Sequence, residues 1–419
     1  MSQFIINGGN RLSGEVEISG AKNAALGILS AVLLVNGPCR IENVPDIADV
    51  KVILNVAEKI GAIVEQIDKR TYNINSASVT SGYAMFSELG NIRSSYYLLG
   101  ALICKTKKVE IPLPGGCNIG ARPIDQHIKG FEALGAKVHM GSDRMVLTAD
   151  KLTGTQIYMD VVTVGATINL MMAAVLADGV TILENAAREP HIVDVANFLN
   201  MMGANIKGAG TNRIRITGVK ELTGGKSYSI IPDQIEAGTF MIAAAATGGD
   251  VYVKNIIPEH MDPLCAKLIE MNVDIEQEDD WIRVVRNKEL LATDIITLPY
   301  PGFPTDLQPQ MGTLMCLAKG EGKITETIFE NRLQYTDQLK KMKAKIRVDN
   351  NVAYIKGVGK LSGATVKATD LRAGAALIIA GLVASGQTRV QNVEYIDRGY
   401  EEIEVKLNKL GADIVRESK

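Results

Sequence analysis

What this 419-residue chain lacks narrows its roles before anything else is read. Aromatic side chains make up only 5% of it, against 46% apolar residues and 40 glycines. A core short of large rings and rich in Ala and Gly lets helices approach closely. Neither charge sign dominates, with 45 Lys and Arg against 47 Asp and Glu, which argues against a nucleic-acid or membrane-surface partner. Any anionic ligand must therefore be met by cations gathered locally. The longest apolar runs, residues 24–35 and 374–384, fall short of the ~20 residues that span a bilayer. The N-terminus lacks the basic start and apolar core of a secretory signal. Five cysteines, Cys39, Cys104, Cys117, Cys265 and Cys316, are odd in number and follow no framework spacing, so free thiols in a reducing cytoplasm are expected. The four histidines are scattered without ligand spacing, so no bound metal is expected.

What is present is a sixfold echo. A helix ending in Gly-Ala or a degenerate relative, then a short strand, recurs at Gly61 (KIGAIVEQ), Gly135 (ALGAKVHM), Gly203 (MMGANIKG), Asn272 (EMNVDIEQ), Lys343 (KMKAKIRV) and Gly411 (KLGADIVR), every 68–74 residues. That period is too long for a solenoid unit and indicates duplicated subdomains. In each, a short strand leads to an Ala/Leu/Met-rich helix: residues 24–34, 94–103, 166–177, 237–246, 307–317 and 372–384. These helices are apolar nearly all round and are expected to be buried on every side. A β-branched strand follows (39–44, 180–184, 250–255, 388–393), then an amphipathic helix such as 192–202 or 400–410, then one or two strands. The last echo lacks its final strand. Phe4-Ile5-Ile6 through Leu12-Ser13-Gly14 resembles Tyr354-Ile355-Lys356 through Leu361-Ser362-Gly363, so the N-terminal strand is expected to complete it. One lobe then comprises residues 22–230 and the other residues 1–21 with 231–419, joined by two crossings in a hinge suited to closure on substrate. The alternative is one continuous array.

Chemistry concentrates in the loop Pro-Gly-Gly-Cys-Asn-Ile-Gly-Ala-Arg-Pro, residues 114–123. Its glycines free the backbone to present Cys117 at a tip. Arg122 offers a planar fork for phosphate or carboxylate, and a nearby cation makes a thiol more reactive. The plainer alternative is a surface turn with an incidental cysteine. A P-loop is excluded, because Ala121-Arg122 stand where Lys and Ser/Thr belong. Other polar residues fall at two equivalent places in the repeat. Lys22, Asn23, Arg93, Asp306, Asp370 and Arg372 stand at the start of the first helix. Cys117, Arg122, Arg188, Arg332, Asp397 and Arg398 follow the middle strand. Both places adjoin a helix N-terminus, which favours anions. Gathered on one rim, the cations suit a multiply anionic ligand. Alternatively Asp306, Asp370 and Asp397 are helix caps and the arginines are solvated.

Several long motifs occur in order from end to end: GAKNAAL (20–26), PGGCNIGARP (114–123), ENAAREP (184–190), GFPTDLQPQ (302–310), ITETIFENR (324–332) and DRGYE (397–401). In these the chain resembles the UDP-N-acetylglucosamine 1-carboxyvinyltransferase family, the enolpyruvyl transferases of peptidoglycan synthesis. The resemblance implies an α/β fold, a two-lobed inside-out α/β barrel of six βαβαββ-type units. It implies transfer of the enolpyruvyl group of phosphoenolpyruvate to the 3-hydroxyl of UDP-N-acetylglucosamine with release of phosphate, the first committed step of peptidoglycan precursor synthesis. That step belongs to cell-wall biogenesis, cell shape and division. A cytoplasmic monomer is implied, without cofactor, metal, nucleic acid or membrane.

Carried over residue by residue, the resemblance gives Lys22, Asn23, Arg122 and Arg398 to phosphoenolpyruvate. It gives Arg93, Arg122, Pro123, Ile124, Asp125, Gln126, Val161, Val162, Thr163, Val164, Gly165, Asp306 and Ile328 to the nucleotide sugar. Asp306 is the base near the sugar 3-hydroxyl. Cys117 is the proton donor, which also forms a pyruvate adduct and is the target of fosfomycin. Arg332 and Asp370 support the site. Val161 and Gln234 stand where some members carry lysine and arginine, which bears on nucleotide contacts rather than on the chemistry. Adding an alcohol to an enol ether needs an acid and a base together, and an intermediate bearing phosphate and carboxylate needs cations. Two rival readings remain. A 3-phosphoshikimate 1-carboxyvinyltransferase shares fold and donor, but the Cys117 loop and GAKN speak against it. A non-catalytic nucleotide-sugar-binding paralogue would not be expected to keep Lys22, Cys117, Asp306 and Arg398 together.

Overall fold

A computed structural model describes residues 2–113 and 123–418, which divide into two compact bodies: residues 20–113 with 123–231, and residues 2–19 with 232–418. Twelve α-helices occur among the described residues. The first body holds α1 (Lys22–Ala31), α2 (Ala48–Lys59), α3 (Tyr97–Thr106), α4 (Asp125–Ala133), α5 (Val164–Ala174) and α6 (Pro190–Met201). The second holds α7 (Gln234–Thr247), α8 (Asp262–Glu270), α9 (Gln308–Met315), α10 (Tyr335–Lys341), α11 (Leu371–Val383) and α12 (Ile403–Lys409).

The odd-numbered helices are the Ala/Leu/Met-rich ones. With no polar face to show to water they form the core of their body: every residue of 166–174 in α5, 235–246 in α7 and 371–382 in α11 is buried. In the first body α3 packs on α5, and in the second α11 packs on both α7 and α9. Small residues permit this. A Cβ on Gly100 would lie 2.1 Å from the Asn169 carbonyl oxygen, and one on Gly312 would lie 2.2 Å from the Tyr335 hydroxyl.

Five repeats add a small mixed sheet of one pattern, whereas the sheet of the second is three-stranded and antiparallel, its parallel neighbour reduced to a single bridge between Tyr83 and Glu110. In the third, Gln156–Tyr158 runs parallel to Val180–Glu184, and Arg213–Thr217 and Asn205–Lys207 follow antiparallel. The first and fourth repeats take their leading strand from elsewhere in the sequence. Lys226–Ser229 pairs parallel with Pro38–Glu42, and Ser13–Glu17 pairs parallel with Asp250–Lys254. The sixth takes its closing strand from the N-terminus. Ser2–Asn7 lies between Gln387–Gln391 and Asp413–Ser418, antiparallel to both, with Phe4 opposite Val390 and Arg416.

Two devices recur. The residue that marks each echo follows a helix in the left-handed conformation: Gly61, Gly135, Gly203 and Gly411 have φ of 106°, 94°, 109° and 97°, Asn272 66° and Lys343 72°. Glycine adopts this freely and asparagine tolerates it, whereas lysine is strained there. The second device is an asparagine directly after the middle strand. Asn43, Asn185, Asn255 and Asn392 are all left-handed, with φ between 55° and 62°. Their amides donate to the carbonyls of Ile230, Met159, Ile18 and Ala368, tying each middle strand to the end of its parallel neighbour. No helix among the described residues is long and apolar enough to cross a membrane, and no group of three or more of their His, Cys, Asp and Glu side chains could hold a metal ion.

Candidate active site

In the second body the chain enters α9 through extended Pro304 and a 3-10 turn, Thr305–Leu307, neither turn nor helix being capped by a side chain. Asp306 therefore faces elsewhere. Its Oδ1 accepts from Arg332 Nη2 at 2.9 Å and its Oδ2 from Arg372 Nη2 at 3.0 Å. The arginine side chains are 2% and 6% exposed, while that of Asp306 is 26% exposed. The carboxylate is thus held from below by two buried guanidinium groups and keeps an open edge.

Both arginines are themselves fixed. Burial works against the charge of Arg372, but Asp306 and the Tyr400 oxygen more than offset it, so the group stays firmly cationic. Its guanidinium lies 5.6 Å from the Tyr400 ring centroid. The Tyr400 hydroxyl bonds Thr239 Oγ1 at 2.9 Å and accepts from Gln310 Nε2 at 3.3 Å, and the same Gln310 nitrogen donates to the Asp306 carbonyl at 3.0 Å. Asp370 caps α11 by accepting from the N–H groups of Arg372 and Ala373 at 2.9 and 3.0 Å, which sets where Arg372 leaves the helix. Arg332 stacks 5.5 Å from the Phe329 ring centroid. Ile328 is 36% exposed, and Arg398 is half-buried. Asp397 is taken by Arg416 through both oxygens, at 2.9 and 2.7 Å, and so serves architecture. Gln234, at the start of α7, buries its Oε1 without a hydrogen-bond partner.

In the first body Lys22 opens α1 and is buried, its Nζ 2.8 Å from Asp49 Oδ2. Asn23 is half-buried. Asp49 was not singled out from the sequence, although an acid on the buried face of amphipathic α2, beside Val50 and Ile53, is a readable signal. Arg93 lies over the Tyr96 ring at 5.9 Å, and that ring is 5.6 Å from His127. Burial pushes His127 down to about 4, with Arg93 adding to the shift and Asp125 opposing it. The ring is neutral at pH 7, and its Nδ1 lies 3.0 Å from Asn169 Nδ2.

Gln126 is spent on shaping a loop: its Oε1 accepts from the Asp160 N–H at 2.9 Å, and its Nε2 donates to Asp160 Oδ2 at 3.1 Å and Asp125 Oδ2 at 2.7 Å. The segment this latch holds runs through Val161 and Val162, 55% and 39% exposed, to Thr163, Val164 and Gly165 at the start of α5. A Cβ on Gly165 would sit 3.1 Å from His127 Nε2. Pro123 and Asp125 are exposed and Ile124 is half-buried. Cys117 and Arg122 lie outside the described residues. The four other cysteines are ill-suited to react, because burial pushes the Cys39 thiol up to about 11 and those of Cys104, Cys265 and Cys316 up to about 12.

The structure thus joins Asp306 directly to Arg332 and, through Arg372, to Asp370. Known proteins give this arrangement a context. The EPSP synthase (3-phosphoshikimate 1-carboxyvinyltransferase) family matches residues 6–407. The chain is 57% identical to UDP-N-acetylglucosamine 1-carboxyvinyltransferase 3 of Caldanaerobacter subterraneus subsp. tengcongensis, over 99% of both chains. It is 55% identical to UDP-N-acetylglucosamine 1-carboxyvinyltransferase of Clostridium botulinum, over 99% of this chain and 100% of that one. Among solved structures, the enolpyruvyl transferase NikO from Streptomyces tendae superposes with a TM-score of 0.90 at 26% identity, covering 100% of this chain and 99% of that one. EPSP synthase from Acinetobacter baumannii, at 19% identity and a TM-score of 0.78 over the whole of both chains, shares the fold. On sequence matched end to end and on a shared fold, the chain belongs to the enolpyruvyl transferase family, among the UDP-N-acetylglucosamine 1-carboxyvinyltransferases.

Proposed function

We propose that this enzyme transfers the enolpyruvyl group of phosphoenolpyruvate to the 3-hydroxyl of UDP-N-acetylglucosamine and releases phosphate. The observation that carries this is the full-length identity of more than half to carboxyvinyltransferases named for that sugar. In the proposed reaction Asp306 takes the proton of the sugar 3-hydroxyl, its carboxylate oriented by Arg332 and Arg372. The hydroxyl oxygen bonds to C2 of phosphoenolpyruvate while Cys117 gives a proton to C3, leaving a tetrahedral intermediate with phosphate and carboxylate both attached. Loss of a C3 proton and cleavage of the C2–O bond to phosphate then restore the double bond. Lys22, Asn23, Arg122 and Arg398 meet the anionic groups, whose charge persists through the intermediate. Arg93, residues 122–126, the segment Val161 to Gly165 and Ile328 take the nucleotide sugar. The apolar faces of Val161 and Val162, open to solvent, suit a nucleobase better than a phosphate. Cys117 is also the group expected to carry a pyruvate adduct and to be alkylated by fosfomycin. The proposed enzyme acts as a cytoplasmic monomer and needs no cofactor.

Phosphate release decides the matter. It is expected with phosphoenolpyruvate and UDP-N-acetylglucosamine, and not when shikimate 3-phosphate replaces the sugar nucleotide. Release with shikimate 3-phosphate alone would replace the reading with its nearest relative. Binding of the sugar nucleotide without release would mark a non-catalytic paralogue.

A further inference from the structure

The repeats supply an internal control for what the fold itself requires. In four of them the residue directly after the middle strand is the left-handed asparagine that clamps the parallel neighbour. The fifth repeat, which carries Asp306, departs from this. The same backbone bond that aligns the others, from Met159, Ile18, Ile230 and Ala368 to the last residue of the middle strand, runs here from Thr297 N–H to the Thr325 carbonyl. The clamp position is therefore Glu326. Its architectural duty has moved one place along, to Thr327, whose hydroxyl donates to the Thr297 carbonyl.

Relieved of that duty, Glu326 points its carboxylate at two other segments. It is only 2% exposed. Oε1 accepts from Thr297 Oγ1 at 2.9 Å and from the N–H groups of Ile328 and Phe329 at 2.8 and 3.1 Å, while Oε2 accepts from Thr305 Oγ1 at 2.9 Å. Thr305 precedes Asp306 in its turn, and Phe329 lies under Arg332. One buried side chain thus joins the turn that bears Asp306 to the loop that bears Ile328 and the platform of Arg332. All four partners are donors, so an acceptor-only group satisfies them together, which an asparagine clamp with its NH2 would not.

We infer that Glu326 is a positioning residue, holding Asp306 and the 327–329 loop in a common register for the nucleotide sugar. This rests on the function proposed above. Glu326→Ala leaves two backbone N–H groups and two hydroxyls without their acceptor. Glu326→Asn restores the residue that other repeats use and is too short to reach both segments. Glu326→Gln keeps an oxygen for three of the donors, and the Thr305 hydroxyl can turn to accept from its NH2.

The test measures steady-state kinetics, melting and hydrogen exchange of the Ile328 and Phe329 amides on the full chain. Ala and Asn are expected to lower kcat/KM for UDP-N-acetylglucosamine roughly tenfold to a hundredfold, with the KM for phosphoenolpyruvate unchanged. Both should speed exchange at the two amides, Asn should melt near the parent, and Gln should recover most activity and protection. Equal losses for Ala and Gln, unchanged exchange in Ala, or losses shared by both substrates in step with melting would overturn the inference. If the parent itself releases no phosphate, the proposed function fails, and the exchange pattern alone still decides whether Glu326 orders the loop.

Discussion

Repeats four, five and six each bring an aspartate to the start of their first helix, and one of the three differs from the other two. Asp233 caps α7, accepting from the N–H groups of Ile235 and Glu236 at 2.7 and 3.0 Å, and Asp370 does the same for α11 two and three residues on. Asp306 stands in the equivalent place, but the residue three positions ahead is Pro309, which has no N–H to give. The proline removes one of the two donors that the other caps use, and Arg332 and Arg372 hold the carboxylate instead. On the proposed mechanism the difference separates architecture from chemistry at one position of one repeat, and it can be pressed experimentally.

Asp306→Asn should show the largest effect. It keeps the size and an acceptor for one of the two arginines but loses the proposed base, so turnover should fall by roughly two to four orders of magnitude while KM changes little. A variant that kept parental turnover and only melted lower would make Asp306 an architectural residue like the other two.

The next effect belongs to pH and to the first body. His127 is held neutral well below its ordinary value, so the unfolded chain binds its proton first as acid is added. Its contribution is complete above pH 6.5 and is lost as the pH falls towards about 4. Across that window the loss is on the order of 3 kcal/mol. Urea titrations at several pH values should show this slope, and a His127→Gln chain should flatten it.

Asp233→Ala should cost about 1 kcal/mol of stability, whereas Asp233→Asn should cost almost nothing, because asparagine caps as well as aspartate. Turnover should survive in both, in contrast to Asp306→Asn. Thermal melting with a parallel activity assay checks the pair. The smallest effect is expected at the left-handed helix ends. Lys343→Gly places there the residue found at four of the six equivalent sites, and should raise stability by roughly 0.5–1 kcal/mol. Gly203→Lys in the first body should lower it by a similar amount, and denaturant midpoints would reveal the opposite signs.

The central helices were legible in the sequence because nothing polar interrupts them, and a helix without a polar face has one place to go. The recurring Gly-Ala was legible because the left-handed position after a helix selects its residue so strongly. Helix ends were less so. The helix expected over 94–103 is a 3-10 turn, Arg93–Tyr96, followed by α3, and the one expected over 24–34 ends as a 3-10 turn, Val32–Leu34. The sequence leaves the choice between cap and site open for the three aspartates 306, 370 and 397, and each resolves differently: a carboxylate between arginines, a cap, and a partner of Arg416. Arg332 and Arg372 stand out in the sequence as candidates, but that both meet Asp306 is not legible there, since they lie 26 and 66 residues away on other elements. Gln126 shows the converse, since no motif reveals that its amide is already committed to Asp160.

The strand Ser2–Asn7 carries a consequence for the order of events in synthesis. It sits between two strands made near the far end of the chain, with Ser2 directly opposite Ser418. During translation it must wait, its edges unpaired, until Gln387–Gln391 and Asp413–Ser418 have emerged, which makes it the segment most exposed to mispairing in a nascent chain. Because it finally brings the two ends side by side, a short linker between them and a new opening in a surface turn would remove that wait without disturbing a single ladder bond.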